Sequence, residues 1–386
     1  MELVGIRPYF GDQIRDEPSG RSTPGGPAAT WSVAFFPVHD EGSTTTTSDD
    51  LPDTPGEDTV NDVVGIGNAL VDVLSHESDA FVLSVDVPKG SMTLIDEDRA
   101  TSLYGMMGAG VEISGGSAAN TIVGVAAFGG RAQYLGKVRD DQLGEVFAHD
   151  IRATGVTYEI PMASDGPSTG CCLILVTPDA QRTMNTYLGA SVNFCAGDVD
   201  PQVIASSEVL YLEGYLFDPP EAQEAFRVAA RYAHEAGRTV SATLSDSFCV
   251  ERHRDAFLDL VEHHVDLVFA NEAEICALYQ CESFDEAIER VQRQGLIAAL
   301  TRSEKGSVVV GQHEVIEIPA HPVDELVDTT GAGDLYASGF LYGFSQGLPL
   351  ATCGALGSLA AAEVISHLGA RPSANLRELA APLLGR

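Results

Sequence analysis

Residues 328–340 read DTTGAGDLYASGF, and the interpretation of the whole chain turns on them. A glycine-rich turn, Gly331-Ala332-Gly333, opens directly onto a helical run of apolar residues, and a lone carboxylate, Asp334, stands at the junction. The first turn of a helix leaves several N–H groups unpaired and carries partial positive charge, so it attracts phosphate. Glycines on either side of Ala332 let the backbone approach an anion with no Cβ in the way. A carboxylate there can take a proton from a hydroxyl while the amides hold the charge growing on a transferred phosphoryl group. The plainer alternative is a loop-to-helix junction in which Asp334 only complements the helix dipole.

Upstream of this junction, strand and helix signals alternate. Residues 209–212, 239–243 and 265–270 read as strands, and 222–236, 250–262 and 272–279 as the helices that follow them. That βαβ rhythm predicts a mainly parallel sheet covered on both faces. Ligands in such sheets bind at the carboxyl ends of the strands, where Asp246, Asn271 with Glu274, and Thr301 are the candidates. Asn271 and Glu274 also read as the two halves of a capping box. Residues 62–67, DVVGIG, form another strand signal, but Leu70 stands where a dinucleotide fingerprint needs its third glycine, so that fingerprint is rejected. Further on, Gly115 and Gly116 precede a small-residue helix over 117–128 with Asn120 in its first turn. Glycines admit a polyol close to the backbone, and an amide offers both a donor and an acceptor to neighbouring hydroxyls. Segments 170–176 and 182–188 flank Thr177-Pro178-Asp179-Ala180 as a hairpin, with Arg182 read as an exposed arginine, the alternative being contact with phosphate during closure. With the mixed region 76–112, the hairpin suggests a small β lid. There is no G-x-x-x-x-G-K-[ST] loop, so the phosphate site falls to the 331–333 turn.

Composition narrows the function classes. At 386 residues and 44% hydrophobic content the chain can bury one large core or two modest ones. No apolar run is long enough to span a bilayer. The opening MELVGIRPYFGDQIRDE lacks a basic region followed by an apolar core, so no secretory signal is expected. Seven scattered cysteines give no disulfide framework, and a reducing cytoplasm is the expected home. The net charge of −34 speaks against a nucleic-acid partner, because phosphate backbones need a basic surface. Only Lys89, Lys137 and Lys305 are lysines; with acidic residues spread along the whole chain, this predicts a protein suited to high salt. Residues 1–60 are rich in Gly, Pro, Ser, Thr and Asp and read as a low-complexity, disordered extension.

Residues 328–334 match D-T-x-G-A-G-D in full, so the stretch resembles the second signature of the PfkB family of carbohydrate and nucleoside kinases. The resemblance runs over about residues 62–372. It implies a ribokinase-like three-layer α/β/α domain with a mainly parallel sheet over 61–375, carrying a β lid from about 76–112 and 165–190. It implies ATP as phosphoryl donor, Asp334 as catalytic base, Gly331, Ala332 and Gly333 as the anion hole, and a K⁺ near Asp328 and Thr330 in some members. GGSAAN resembles the first signature, G-G-x-x-x-N, which carries a substrate role to Gly115, Gly116 and Asn120. The aspartate after the first strand, here Asp72, would bind substrate hydroxyls. NEAE resembles the family's N-x-x-E, placing Asn271 and Glu274 around Mg²⁺ through water, as suits a hard, reluctantly dehydrated ion. TRSEKG resembles T-x-G-x-x-G, which puts Thr301 and Gly306 near the ATP phosphates, although Ser303 replaces the first glycine. Likewise Arg139 replaces a glycine in GKVRDDQLGEVF. The helical stretch GSLAAAEVISHLGARP, with Ser358, would cover the adenine of ATP and close at Gly369 and Pro372. An unperturbed Asp334, with a pKa of about 3.9, would be a weak base suited to a loose transition state. GNALVD and TLSDSF look like adenosine kinase text, so adenosine is the expected acceptor, with fructose, ribose or a ketodeoxy sugar acid as the alternative. A homodimer through the lid is compatible with the family.

Overall fold

The structure, a computed structural model, describes residues 61–179 and 181–385. The extension expected over residues 1–60 lies outside the described residues.

Among the described residues thirteen strands form two sheets. In chain order they are β1 (Asn61–Ile66), β2 (Leu70–His76), β3 (Met92–Leu94), β4 (Gly110–Gly115), β5 (Ala132–Leu135), β6 (Thr169–Val176), β7 (Arg182–Gly189), β8 (Ser207–Glu213), β9 (Thr239–Thr243), β10 (Leu267–Asn271), β11 (Ile297–Thr301), β12 (Ser307–Val310) and β13 (Val315–Ile318). The eight-stranded sheet runs β13-β12-β11-β10-β9-β8-β1-β5 and is parallel from β5 to β11, with β12 and β13 antiparallel at one edge. Its central strands are apolar on both sides: β8 buries Val209, Leu210, Tyr211 and Leu212, and β11 buries Ala298, Ala299 and Leu300. A strand buried on both faces needs helices above and below it, which is the three-layer architecture the alternation predicts.

The five-stranded sheet runs β3-β7-β6-β2-β4. β6 and β7 form the expected antiparallel hairpin. The sheet starts earlier than residue 76, because the chain leaves the main sheet after β1, and β2, starting at Leu70, pairs with both β4 and β6. Period-2 alternation splits its residues cleanly. Val71, Val73, Leu173 and Leu175 point into the main core with Phe147, Ile151 and Leu103 from the helices Gln142–Ala153 and Glu97–Met106. The other face carries Asp72 together with a small apolar strip of Cys172, Ile174, Val176, Leu74 and Met184.

Two helix boundaries differ from expectation. The helix expected over 250–262 is two helices, Ser247–Arg252 and Arg254–His263, broken at His253. The helix Leu350–Val364 ends short of Gly369. Its next residue, Ile365, turns its carbonyl to accept the N–H groups of Val327 (2.9 Å) and Asp328 (3.3 Å), so the chain leaves the helix to brace the 328 turn. Among the described residues no helix is long and apolar enough to cross a membrane.

Candidate active site

Asp334 lies in the first turn of the helix Ala332–Ser345. Gly331 caps that helix at φ +79°, a left-handed conformation that disfavours any side chain, and a Cβ there would come within 2.8 Å of Ala370 Cα. At Gly333 a Cβ would meet nothing within 4 Å, so the space beside its Cα is open. The three residues of the turn are not equivalent, because the Ala332 N–H already donates to Thr329 O at 3.2 Å. Within the turn the N–H of Ala332 is thus engaged, whereas those of Gly331 and Gly333 make no backbone hydrogen bond among the described residues.

The carboxylate of Asp334 is held at both oxygens. Ser117 Oγ donates to Oδ1 at 2.6 Å and Asn120 Nδ2 donates to Oδ2 at 2.9 Å. Both donors come from the first turn of the helix Ser117–Ala127, 214 residues and more away in sequence. Burial raises the Asp334 carboxyl above its ordinary value, partly offset by those hydrogen bonds and by Arg371. The ordinary, unperturbed acid expected from sequence is therefore corrected to a stronger base. Asn120 Oδ1 is buried and has no hydrogen-bond partner among the described residues. An orphaned acceptor of this kind marks a place for a ligand hydroxyl.

Asp72 faces the same space from β2, with its carboxyl pushed up to about 6 by burial, while Arg371 and Arg182 pull the other way and Asp334 adds repulsion. Gly115 lies directly against that carboxyl group and leaves no room for a Cβ. Gly116, at φ +104°, packs against the carbonyl of Asn68 and turns the chain into the Ser117 helix. Asp72, Gly115, Gly116 and Asn120 thus converge with Asp334.

The turn preceding Asp334 is bound to the lid. Asp328 Oδ1 accepts from Thr330 N–H (3.0 Å) and Thr330 Oγ1 (2.7 Å). Oδ2 accepts from Gly369 N–H (3.1 Å) and lies 2.8 Å from Arg182 Nη2. The carboxylate beside which a K⁺ was expected is thus paired with a guanidinium. Arg182 is not an exposed hairpin arginine: its side chain is 7% exposed, because β7 carries it inward onto the 328 turn. Its Nε is buried without a hydrogen-bond partner among the described residues.

Asn271 and Glu274 form the capping box in full. Asn271 Oδ1 accepts from Glu274 N–H (2.9 Å), and Glu274 accepts from Asn271 N–H (2.9 Å) and from Nδ2 (2.5 Å). Glu274 is buried and pushed up to about 7 by desolvation, with repulsion from Asp246 adding to it. Asp246 caps the helix Ser247–Arg252 at the end of the neighbouring strand. Desolvation of its hydroxyl, together with the negative charges of Asp246, Asp334, Glu274 and Glu213, raises the Tyr215 phenol. Among the described residues no three His, Cys, Asp or Glu side chains converge to ligate a metal directly. Crowded carboxylates without a full cage fit a divalent ion held mainly by water and phosphate oxygens.

The ATP-side expectations separate. Thr301 ends β11, and Gly306 closes the following turn by accepting from Arg302 N–H at 2.8 Å. Ser303, standing where the family has glycine, adopts φ +51°, the left-handed conformation that the position demands. The hydroxyl of Ser358 donates to Pro319 O (3.1 Å) and accepts from His321 N–H (2.8 Å), so it braces the segment after β13.

Three residues at the site had gone unassigned. Ser117 sits within the GGSAAN text, where its role was open to reading. Glu213 ends β8 and accepts from Ala118 N–H (2.7 Å), Asn68 Nδ2 (2.9 Å) and Asn68 N–H (3.2 Å). Burial pushes it up to about 7. A lone glutamate after the apolar VLYL was the available signal. Arg371 had no local signal at all.

Comparison with known proteins agrees with this architecture. The model of the pfkB family carbohydrate kinases matches residues 94–376. A probable sugar kinase from Rhizobium etli CFN 42 superposes with a TM-score of 0.78 at 50% identity, covering 84% of this chain and 99% of the other. The adenosine kinase from Sinorhizobium meliloti superposes with a TM-score of 0.77 at 51% identity, covering 83% and 99%. The adenosine kinase of Dictyostelium discoideum is 27% identical over 329 residues, spanning 79% of this chain and 94% of its own.

Proposed function

The chain belongs to the pfkB family of carbohydrate kinases and is an ATP-using phosphotransferase with an alcohol acceptor; from that premise we propose that its acceptor is a nucleoside, adenosine above all, phosphorylated at its primary hydroxyl. Similar relatives carry both nucleoside-kinase and sugar-kinase names, so the choice between them rests on the cleft. The observation that carries it is two exposed aromatic side chains on the segments that follow β8 and β9. Tyr215 follows β8 and is 38% exposed, and Phe248, on the helix after β9, is 75% exposed. The Tyr215 N–H donates to Ser245 Oγ at 3.1 Å, which links the two segments. A flat purine can stack on such rings, and each base–aromatic stack contributes about 1–3 kcal/mol. The apolar strip of Leu74, Ile174 and Met184 on the lid offers a second dry wall.

In this reading Asp72 and the orphaned Asn120 Oδ1 bind ring hydroxyls. Asp334, oriented by Ser117 and Asn120, takes the proton of the attacking hydroxyl as the phosphoryl group transfers in line. The free amides of the 331–333 turn, the helix dipole and Arg182 stabilise the charge on that group. Thr301 and Gly306 serve the donor phosphates. Asn271, Glu274 and Asp246 would hold Mg²⁺, which would supply neutralisation of the donor's phosphate charge. One lid face is covered by helices and the other carries Asp72, so a lid-to-lid homodimer would compete with the acceptor, and we take one chain as the working unit.

The test is ATP-dependent phosphorylation over a panel of nucleosides and sugars, repeated with Phe248→Ala. Adenosine should lead, 2′-deoxyadenosine should trail, and the variant should raise the adenosine KM by roughly 5–150-fold, the equivalent of 1–3 kcal/mol. Preferred turnover of fructose or ribose, unaffected by Phe248→Ala, would transfer the assignment to the sugars.

A further inference from the structure

Residues 369–371 touch three parts of the site at once. Gly369 N–H donates to Asp328 Oδ2 at 3.1 Å, and Ala370 packs against Gly331, where a Cβ would come within 2.8 Å of it. Arg371 then reaches across to the acceptor side. Its Nη2 donates to Ser114 O (2.5 Å) and Ser114 Oγ (3.1 Å), and its Nη1 donates to Ala119 O (3.3 Å). Ser114 immediately precedes the Gly115-Gly116 turn, and Ala119 precedes Asn120. The chain of contacts continues outward, because Ser114 N–H and Oγ both donate to Asp150 Oδ2, at 2.8 and 2.6 Å.

We propose that Arg371 is a positioning residue for phosphoryl transfer, whose guanidinium ties the loop behind the anion turn to the glycine turn and first helical turn that present the acceptor. A planar guanidinium can bond three separated acceptors at fixed angles, whereas a lysine ammonium cannot match that fork. The Gly331 turn and the Asn120 turn come from distant parts of the chain, and Arg371 makes them move together. Its charge has a second consequence. Asp72 on β2, Asp334 on the Ala332–Ser345 helix, Asp150 on the Gln142–Ala153 helix and Tyr134 on β5 all act on it, and Arg182 on β7 joins it in acting on Asp72. A cation whose charge acts on both Asp72 and Asp334 favours their ionised forms.

The proposal rests on the roles given above to Asp72 and Asp334, and the experiment separates the two levels. Full-length wild type, Arg371→Met, Arg371→Lys, Ser114→Ala and Asp334→Asn are compared for kcat and KM of the acceptor between pH 5 and 9, with melting temperatures. Arg371→Met should lower kcat by roughly 10–100-fold, the effect of misplacing reacting groups. It should also raise the acceptor KM and shift the acid limb of kcat/KM to higher pH by about one unit. Arg371→Lys should leave the acid limb in place and lose kcat, since it restores charge but not the fork. Ser114→Ala, the milder variant should Arg371→Met fail to fold, should raise the acceptor KM several-fold with the ATP KM unchanged. An acid limb and acceptor KM unchanged in folded Arg371→Met, or Ser114→Ala behaving as wild type, would overturn the proposal. Near-normal turnover of Asp334→Asn would instead overturn the site assignment beneath it.

Discussion

Replacing Asp334 with asparagine removes one chemical function and little else. Ser117 Oγ and Asn120 Nδ2 hold the two carboxylate oxygens at 2.6 and 2.9 Å. An amide at this position keeps both contacts: its oxygen accepts from Asn120 Nδ2, and its NH₂ donates to Ser117 Oγ, which rotates from donor to acceptor. Shape and hydrogen bonding survive, and the proton acceptor is lost. Loss of a general base lowers turnover by roughly 10²–10⁴-fold, or about 2.7–5.4 kcal/mol on the barrier. The stability sign runs the other way. Burial raises the Asp334 carboxyl in the folded state, so its contribution to stability is present at low pH and is lost as pH rises through that raised value. Asparagine does not ionise, so the variant should melt at the same temperature as wild type or higher at pH 8. Steady-state ADP release with saturating ATP gives kcat and the acceptor KM, and thermal melts at pH 6 and 8 give the stability term. Turnover within a few-fold of wild type would refute the base assignment. A fall in turnover accompanied by a lower melting temperature at pH 8 would refute the claim that the hydrogen bonds persist.

Other consequences follow from charge. Glu213 and Glu274, both pushed up to about 7 by burial, contribute stability that is lost as pH rises from their unfolded value near 4.5 through 7. At 1 M NaCl, where surface repulsion is screened, the melting temperature should fall between pH 5.5 and 8, and a flat or rising curve would count against those buried carboxyls. At fixed pH the net charge of −34 should make melting temperature rise with NaCl and KCl alike, as the Debye length shrinks from about 10 Å at 0.1 M to about 3 Å at 1 M. Indifference to salt would refute the high-salt adaptation. With Asp328 already bonded to Thr330, Gly369 and Arg182, activity at constant ionic strength should be the same in K⁺ and Na⁺. Selective K⁺ activation would show that Arg182 vacates Asp328 during turnover.

Local text was sufficient where function depends on backbone shape. The 331–333 turn needs a left-handed residue where Gly331 stands, and the helix that follows needs an apolar face, so sequence alone located the anion turn and Asp334. Gly116 gave up its turn in the same way, and the alternation of apolar runs disclosed the parallel sheet. Capping at Asn271 and Glu274 was likewise legible, because its partners are three residues apart.

What lies across the fold was not legible. Arg182 reads as a hairpin-end arginine until β7 is placed on the lid face that meets Asp328, and Ser358 reads as a pocket residue until Pro319 and His321 are brought beside it. Glu213 and Arg371 act on partners about a hundred or more residues away, with no periodic or spacing signal to announce them. The same holds for acidity: an aspartate beside a glycine turn has an ordinary pKa until the Ser117 helix and the lid exclude water from it. Sequence thus determined the elements, the turns and the candidate base, because each depends on neighbours along the chain. The pairing of charges, the strength of the base and the loop that joins the two halves of the site were decided by tertiary packing alone, because burial and Coulomb forces depend on distance in space.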